Sequence, residues 1–169
     1  MAPHSVDLTY EAGRLRWPGG AAPAACGRGG VRRDKREGDG ASPAGVFPLL
    51  SALYRPDRLA PPQTGLMLRL LQPGHWWVDD PFDSNYNRLV LLPYPARGEA
   101  MWRADALYDI VVVIGYNTFP VVPGAGSAIF LHVARPYFSP TAGCIAVARE
   151  ALMRVLALLG PGSTITIRA

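Results

Sequence analysis

The chain has 169 residues, which is enough for one domain with a substantial hydrophobic core, and we expect a single domain over 1–169. Apolar residues make up 49% of the sequence and charged residues 18%, which excludes a globally disordered protein. The net charge of +4 suits anionic partners, but the basic residues are too scattered to indicate a nucleic-acid-binding surface.

The first half of the chain predicts turn-rich β structure, because glycine and proline punctuate short apolar runs. Two alternating runs, 6–10 and 14–17, flank Glu11-Ala12-Gly13 and predict an opening β-hairpin. Residues 27–45 are rich in glycine and charge and predict a long loop. Further strands are predicted at 47–50, 66–71 and 76–78, followed by a polar loop over 79–88.

The second half predicts a buried strand, a helix and a closing strand. Five consecutive β-branched residues at 110–114 are typical of a strand buried on both faces, and 129–133 is the next strand. Apolar residues recur at helical spacing from Ala148 onward until Gly160-Pro161-Gly162 ends the helix, and 164–167 forms a last strand. The predicted fold class is mostly β, with one main helix packed on a sheet sandwich or barrel.

Several classes of protein are not indicated by the sequence. No apolar window reaches the length of a transmembrane helix, and charged residues within 1–17 leave no signal peptide of ordinary form. The two cysteines, Cys26 and Cys144, form no C-x-x-C pair, so we expect no structural zinc and no other metal.

His132 and Cys144 are the residues that point to chemistry. His132 lies near the end of a predicted strand, and Cys144 follows twelve positions later, after Pro136 and Pro140. The prolines interrupt regular structure, so the segment must loop, and a loop of this length closes at modest entropic cost. We therefore expect the imidazole and the thiol to meet in space.

A thiol beside an imidazole is the arrangement of a cysteine nucleophile. A free thiol has a pKa of about 8.5, so the imidazole would take its proton and hold the thiolate as an ion pair. The imidazolium would then protonate a leaving amine. Gly143 permits a tight turn, the N–H groups of Gly143 and Cys144 are natural oxyanion donors, and the Thr141 hydroxyl would orient the turn or the imidazole.

Each of these residues also has an ordinary structural interpretation. A lone cysteine is often a small buried hydrophobe, and a lone histidine at a strand end is often a satisfied structural side chain. The loop that joins the two residues, and the glycine before the cysteine, favour the chemical interpretation.

Two segments around this pair resemble a known family. Residues 127–132, Ser-Ala-Ile-Phe-Leu-His, and 139–147, Ser-Pro-Thr-Ala-Gly-Cys-Ile-Ala-Val, resemble the active-site signature of the YkuD-type L,D-transpeptidase catalytic domain. In that family an upstream histidine precedes a Ser/Thr-x-Gly-Cys turn. Residues 37–47 are similar to the early Gly-Asp-Gly…Pro-x-Gly-x-Phe block of the family.

The resemblance implies a mixed β-sandwich/barrel with the Cys turn in a cleft, no cofactor, and peptidoglycan stem peptides as donor and acceptor. Cys144 would form an acyl-Cys thioester, and the amine of a second stem would resolve it into a cross-link. Water as acceptor would instead give an L,D-carboxypeptidase or endopeptidase that hydrolyses stem peptides or protein–peptidoglycan links. The resemblance also implies covalent inhibition by carbapenems and a place in the periplasm or cell envelope.

The chain departs from the family pattern at three places. Many members have histidine where this chain has Ala142, Gly-Thr where it has Val133-Ala134, and arginine where it has Ala146. Arg135, just after His132, would replace the missing positive charge. The tyrosines in polar or loop contexts are candidates to line a peptide cleft; they are Tyr86, Tyr116 and Tyr137.

Two hypotheses from other classes stay open at this point. A catalytically silent module that binds cell wall would keep its role without the thiol. A redox protein using Cys26 and Cys144 would need Cα atoms no more than about 7 Å apart.

Overall fold

The structure is a computed structural model that describes residues 5–169. These residues form mostly β-strands with one α-helix, as the sequence predicts. The strands are β1 Asp7–Glu11, β2 Arg14–Trp17, β3 Gly20–Ala25, β4 Val31–Arg32, β5 Ser42–Pro43, β6 Gly45–Tyr54, β7 Met67–Leu70, β8 His75–Val78, β9 Leu89–Leu91, β10 Gly98–Ala100, β11 Ile110–Ile114, β12 Phe130–Val133, β13 Ile145–Val147 and β14 Thr164–Ile167. The helix, α1, is Arg149–Leu158, and a 3-10 turn spans Pro136–Phe138.

The main sheet has nine strands and closes on itself. Its order is β11-β12-β13-β3-β2-β1-β14-β6-β7, and an additional pairing of β11 with β6 closes the ring. All strands of this sheet except β7 thus lie in the closed ring. The long strand β6 makes this possible, because its first half pairs with β14 while its second half pairs with β11 and β7. The arrangement matches the predicted mixed sandwich/barrel.

The alternation of side chains along β11 divides the core into two clusters. Ile110, Val112 and Ile114 pack in one cluster with the buried face of α1, whereas Val111 and Val113 pack on the opposite face of the sheet. All five residues of the strand are buried, which confirms the predicted strand buried on both faces. The second cluster includes Cys144 and Phe130, so this face of the sheet carries the candidate site.

A separate three-stranded sheet, with the order β10-β8-β9, packs beside the second cluster. Its central strand buries Trp77 and leaves Trp76 half-buried, because neighbouring residues on a strand face opposite sides. Glu99, on β10, lies in register with Trp77. This small sheet therefore sets the position of the Glu99 side chain.

Several elements agree with the sequence and several were not predicted. The opening hairpin is confirmed, with positive φ at Ala12 and Gly13 in its turn, and so are α1 and the last strand. The strand predicted at 47–50 extends over the whole of β6. Six strands were not predicted, namely β3, β4, β5, β9, β10 and β13, and two of these, β4 and β5, lie inside the predicted loop 27–45. Each is short or contains residues such as Pro23 and Gly98 that favour turns in isolation.

No helix within residues 5–169 has the length and apolarity needed to cross a membrane.

Candidate active site

A cavity of about 340 Å³ opens beside β12 and the turn that leads into β13. His132, Thr141 and Cys144 all line this cavity. The other side chains around it are Arg28, Lys35, Glu37, Asp79, Glu99, Arg103, Leu107, Tyr108, Ser127, Ala128, Arg135, Ser139, Pro140, Ala142 and Ala146. The structure therefore places four of the eight predicted site residues, Thr141, Cys144, His132 and Arg135, on one concave surface.

Cys144 follows a tight turn that Thr141 closes. The Thr141 hydroxyl accepts a hydrogen bond from the Gly143 N–H at 3.1 Å and donates one to the Cys144 carbonyl at 2.7 Å. Gly143 has a φ of +144°, and a Cβ there would lie 2.9 Å from the Ala41 carbonyl oxygen. The Gly143 N–H already donates to the Thr141 hydroxyl. Of the two predicted oxyanion donors, the Cys144 N–H is therefore the one that remains a candidate.

A loop far upstream in the sequence holds this turn in place. The Ser42 hydroxyl donates to the Gly143 carbonyl at 2.7 Å, 101 positions away, and accepts from the Gly27 N–H at 2.9 Å. The Thr141 N–H donates to the Cys26 carbonyl at 2.9 Å. Ser42 is fully buried. The position of the Cys144 turn thus depends on residues 26–42.

The Cys144 thiol is buried and protonated. Its Sγ donates to the Ala128 carbonyl at 3.2 Å and accepts from the Phe130 N–H at 3.3 Å. Burial raises the pKa of the thiol to about 12, with a further contribution from the negative charge of Glu99. A thiol in this environment carries almost no thiolate at neutral pH.

His132 lies beside Ala146 in the parallel pairing of β12 with β13. Its Nδ1 lies 2.8 Å from the Val133 carbonyl oxygen, so Nδ1 carries the proton and Nε2 is left as the base. Burial lowers the pKa of the imidazole to about 4, and the charges of Arg103 and Arg135 add to this shift. The imidazole is therefore neutral at pH 7.

The structure thus differs from the ion pair expected from the sequence. Within the described residues, no hydrogen bond joins Cys144 to His132, and burial favours the neutral form of both side chains. Transfer of the thiol proton would first require the thiol to leave the Ala128 carbonyl, to which it donates. Two neutral side chains would suit general-base activation rather than a preformed thiolate.

Positive charge lines the cavity from three separate segments. Arg103 is neutralised by Asp105, to which its Nε and Nη2 donate at 2.8 and 2.7 Å. Arg28 and the predicted Arg135 also line the cavity, and neither forms an ion pair with any residue of 5–169. Ala146, which occupies the position of the family arginine, lines the same cavity. Arg28 was missed because it lies in a loop that no spacing links to the Cys turn.

The three predicted tyrosines do not line the cavity. Tyr86 is buried, and its hydroxyl donates to Glu37 at 2.5 Å and accepts from the Gly126 N–H at 3.0 Å. The Tyr116 hydroxyl donates to the Ala125 carbonyl at 2.6 Å, and Tyr137 is 99% exposed. Tyr86 and Tyr116 thus support the segment before β12, which carries the acceptor of the Cys144 thiol.

Tyr108 is the tyrosine that lines the cavity, and sequence reasoning passed over it. It lies two residues before the buried strand β11, and nothing in the local sequence marks it as a site residue. Its ring meets His132 edge-on, its hydroxyl donates to the Glu99 carboxylate, and the Arg103 guanidinium lies 5.2 Å from the ring centroid. Glu99 was missed for the same reason as β10, because nothing in the local sequence marks a strand there.

The second cysteine lies on the other side of the sheet. Cys26 packs against the cluster that contains α1, whereas Cys144 belongs to the opposite cluster. Both thiols are free. No group of three or more His, Cys, Asp or Glu side chains that could hold a metal ion occurs within residues 5–169.

A family model for the YkuD L,D-transpeptidase catalytic domain matches residues 4–167. The chain belongs to the YkuD family. Membership confirms the resemblance that residues 127–147 carry in the sequence. Among solved structures, an L,D-transpeptidase from Mycobacterium smegmatis is similar, with a TM-score of 0.48, 12% identity, and coverage of 98% of this chain and 59% of that chain. No curated protein matches the sequence.

Proposed function

We propose that this protein is a peptidoglycan L,D-transpeptidase that works through an acyl-Cys144 thioester. The observation that supports this proposal is the convergence of the Cys144 thiol and the His132 imidazole on one cavity, in a chain of the YkuD family. The cavity volume of about 340 Å³ suits part of a peptide. On this proposal residues 1–169 form one catalytic domain, which acts on peptidoglycan in the cell envelope.

The first half of the reaction acylates Cys144. The thiol proton passes to Nε2 of His132 as Sγ attacks the carbonyl carbon of the donor stem, and the Cys144 N–H binds the oxyanion. The C–N bond then breaks, and the imidazolium returns the proton to the leaving D-amino acid. Because the Val133 carbonyl holds the Nδ1 proton of His132, Nε2 carries the lone pair that this step needs.

The two unpaired guanidinium groups supply recognition. A stem peptide carries carboxylates at its end and on its diamino acid, and arginine binds a carboxylate through paired hydrogen bonds. Arg28 and Arg135 both line the cavity, and neither has a carboxylate partner in residues 5–169. We assign to them the role that the family arginine has at the position of Ala146.

Intact mass measured after incubation with purified muropeptides or with a carbapenem tests the proposal. We expect one covalent adduct on the wild type, no adduct on Cys144→Ala, and a full adduct on the matched control Cys26→Ala. Cross-linked muropeptides identify a transpeptidase, and shortened stems alone identify the hydrolase. If the wild-type protein acquires no adduct and leaves muropeptides unchanged, the enzyme hypothesis is refuted. That result would favour the catalytically silent module that binds cell wall.

A further inference from the structure

Glu99 is a cavity-lining carboxylate that the proposed acylation does not use. It lies on β10, and the Tyr108 hydroxyl donates to its Oε1. No ion pair neutralises Glu99 among residues 5–169, and the nearby Arg103 is already held by Asp105 at 2.7–2.8 Å. One carboxylate oxygen is thus fixed, while the side chain remains open to the cavity.

The position of Glu99 opposes the first half of the reaction. Its negative charge contributes to the raised pKa of the Cys144 thiol, so it disfavours the thiolate that attacks the donor. Glu99 is itself largely desolvated, which raises its own pKa, and Asp79 and Glu37 add to that shift. A desolvated carboxylate at this position is explained if it binds a positively charged group of the substrate.

The other carboxylates of the cavity already have donors. Glu37 Oε2 accepts from Tyr86 at 2.5 Å and from Ser127 at 2.7 Å, and Asp79 accepts from Arg97 at 2.8 Å. Glu99 has Tyr108 as its one hydrogen-bond donor in residues 5–169. Of the three, Glu99 therefore has the most free capacity for a ligand cation.

We propose, on the basis of the transpeptidase function, that Glu99 binds the ammonium group of the acyl acceptor and accepts its first proton. The reacting nitrogen of the acceptor must reach the carbonyl carbon bound to Cys144. A carboxylate on the same cavity, held by Tyr108 beside His132, brings the ammonium to that carbon. The donor needs no such contact, since its reacting atom is an acyl carbon.

The protons and electrons of this step balance within the site. One ammonium proton passes to Glu99, and the amine lone pair forms the C–N bond as the C–S bond breaks and its electron pair stays on sulfur. A second proton passes from nitrogen to His132 and then to the Cys144 sulfur. The products are an amide, a neutral thiol, a neutral imidazole and a protonated Glu99, which returns its proton to water.

Glu99→Gln separates this role from the rest of the reaction, because an amide oxygen can still accept from Tyr108. The acyl-enzyme is formed with a donor tetrapeptide stem, and its partition between water and an acceptor stem that has a free side-chain amine is measured. We expect the acceptor kcat/KM to fall at least about tenfold, as for the loss of a charged contact, while hydrolysis stays within about twofold and carbapenem acylation is not slowed. Glu99→Asp keeps the charge and should recover part of the loss.

Asp79→Asn is the matched control, since it also removes one negative charge from the cavity but from a carboxylate already paired with Arg97. It should keep the wild-type partition between amine and water. The proposal is overturned if Glu99→Gln partitions as the wild type does, or if it slows acylation by the donor stem as much as transfer to the acceptor. If the wild type is acylated but never transfers the acyl group to an amine, the role of Glu99 is overturned and the acylation of Cys144 is kept. If the wild type is not acylated at all, both the role of Glu99 and the proposed function are overturned.

Discussion

The Tyr108 ring meets the His132 imidazole edge-on, with ring centroids 5.2 Å apart and an angle of 78° between the planes. This contact covers the imidazole with apolar surface, and burial is the main cause of its lowered pKa. The thiol of Cys144, which lines the same cavity, is also buried. The structure thus contains a neutral thiol and a neutral base, and several predictions depend on this.

The first prediction concerns the reactivity of Cys144 toward iodoacetamide, which reacts with thiolate only. With the thiol pKa at about 12, alkylation at pH 7 should be at least about tenfold slower than that of a small free thiol and should rise steadily above pH 9. The measurement uses Cys26→Ser, so that a single thiol is labelled. Alkylation faster than that of the free thiol would reveal a preformed ion pair instead.

Acid should destabilise the fold through His132. Because its folded-state pKa of about 4 is lower than that of the unfolded chain, the unfolded state binds the extra proton and folding stability falls as the pH falls. The loss should be about 1.4 kcal/mol per pH unit between about pH 6.5 and 4. Urea unfolding of the wild type and of His132→Gln measures it, since the variant should lack this part of the slope; equal slopes would contradict the assigned shift.

Gly143→Ala should disturb the nucleophile without removing it. The added Cβ would lie 2.9 Å from the Ala41 carbonyl oxygen at a φ of +144°, so the turn must move. We expect the rate of carbapenem acylation to fall at least about tenfold, because a displacement of this size misaligns the attacking sulfur. Gly124→Ala is the matched control: it also has positive φ, but its Cβ would meet open space. Gly124→Ala should therefore be acylated at the wild-type rate. If Gly143→Ala is acylated as fast as Gly124→Ala, the close contact with Ala41 does not control the position of the sulfur.

Ser42→Ala should weaken both the fold and the site. It leaves the Gly27 N–H and the Gly143 carbonyl without the hydroxyl that joins them at 2.9 and 2.7 Å in a fully buried position. Urea unfolding should show a loss of about 1–3 kcal/mol, and carbapenem acylation should slow in the fraction that remains folded. Unchanged acylation by the folded variant would mean that the upstream loop does not position Cys144.

Asp109→Asn should affect stability alone. The buried Asp109 accepts from Arg58 at 2.6 Å and from Arg149 at the start of α1, and it does not line the cavity. Loss of its charge should lower the free energy of unfolding by about 1.5–3 kcal/mol, because both arginines lose a charged acceptor. The loss is not larger because both arginines are partly solvated. Carbapenem acylation at 25 °C should match the wild type; a slower rate would indicate that the ion pairs also shape the site.

The sequence predicts those parts of the fold that are determined locally. The hairpin turn at Ala12-Gly13, the strand 110–114 and the helix each have a pattern that physical chemistry can read over a few residues. The short strands β10 and β13 have no such pattern, because their pairing partners decide them. The same holds for the site. The loop between His132 and Cys144 is visible in the sequence, whereas Glu99 reaches the cavity through the pairing of β10 with β8, and Arg28 through a backbone hydrogen bond to Thr141.

The hydrogen bond from Ser42 to Gly143, which lies 101 positions away in the sequence, has a consequence for the order of folding. The strand after Cys144 pairs with β12 on one side and with β3 on the other, so the site has contacts of very high sequence separation, and such contacts form slowly. On the proposed function, a chain that has not yet joined its early loop to the Cys turn would carry the cysteine without the turn that positions it as a nucleophile. Formation of a β-lactam adduct would therefore report completed folding, and adduct yield during refolding would follow the docking of residues 26–42.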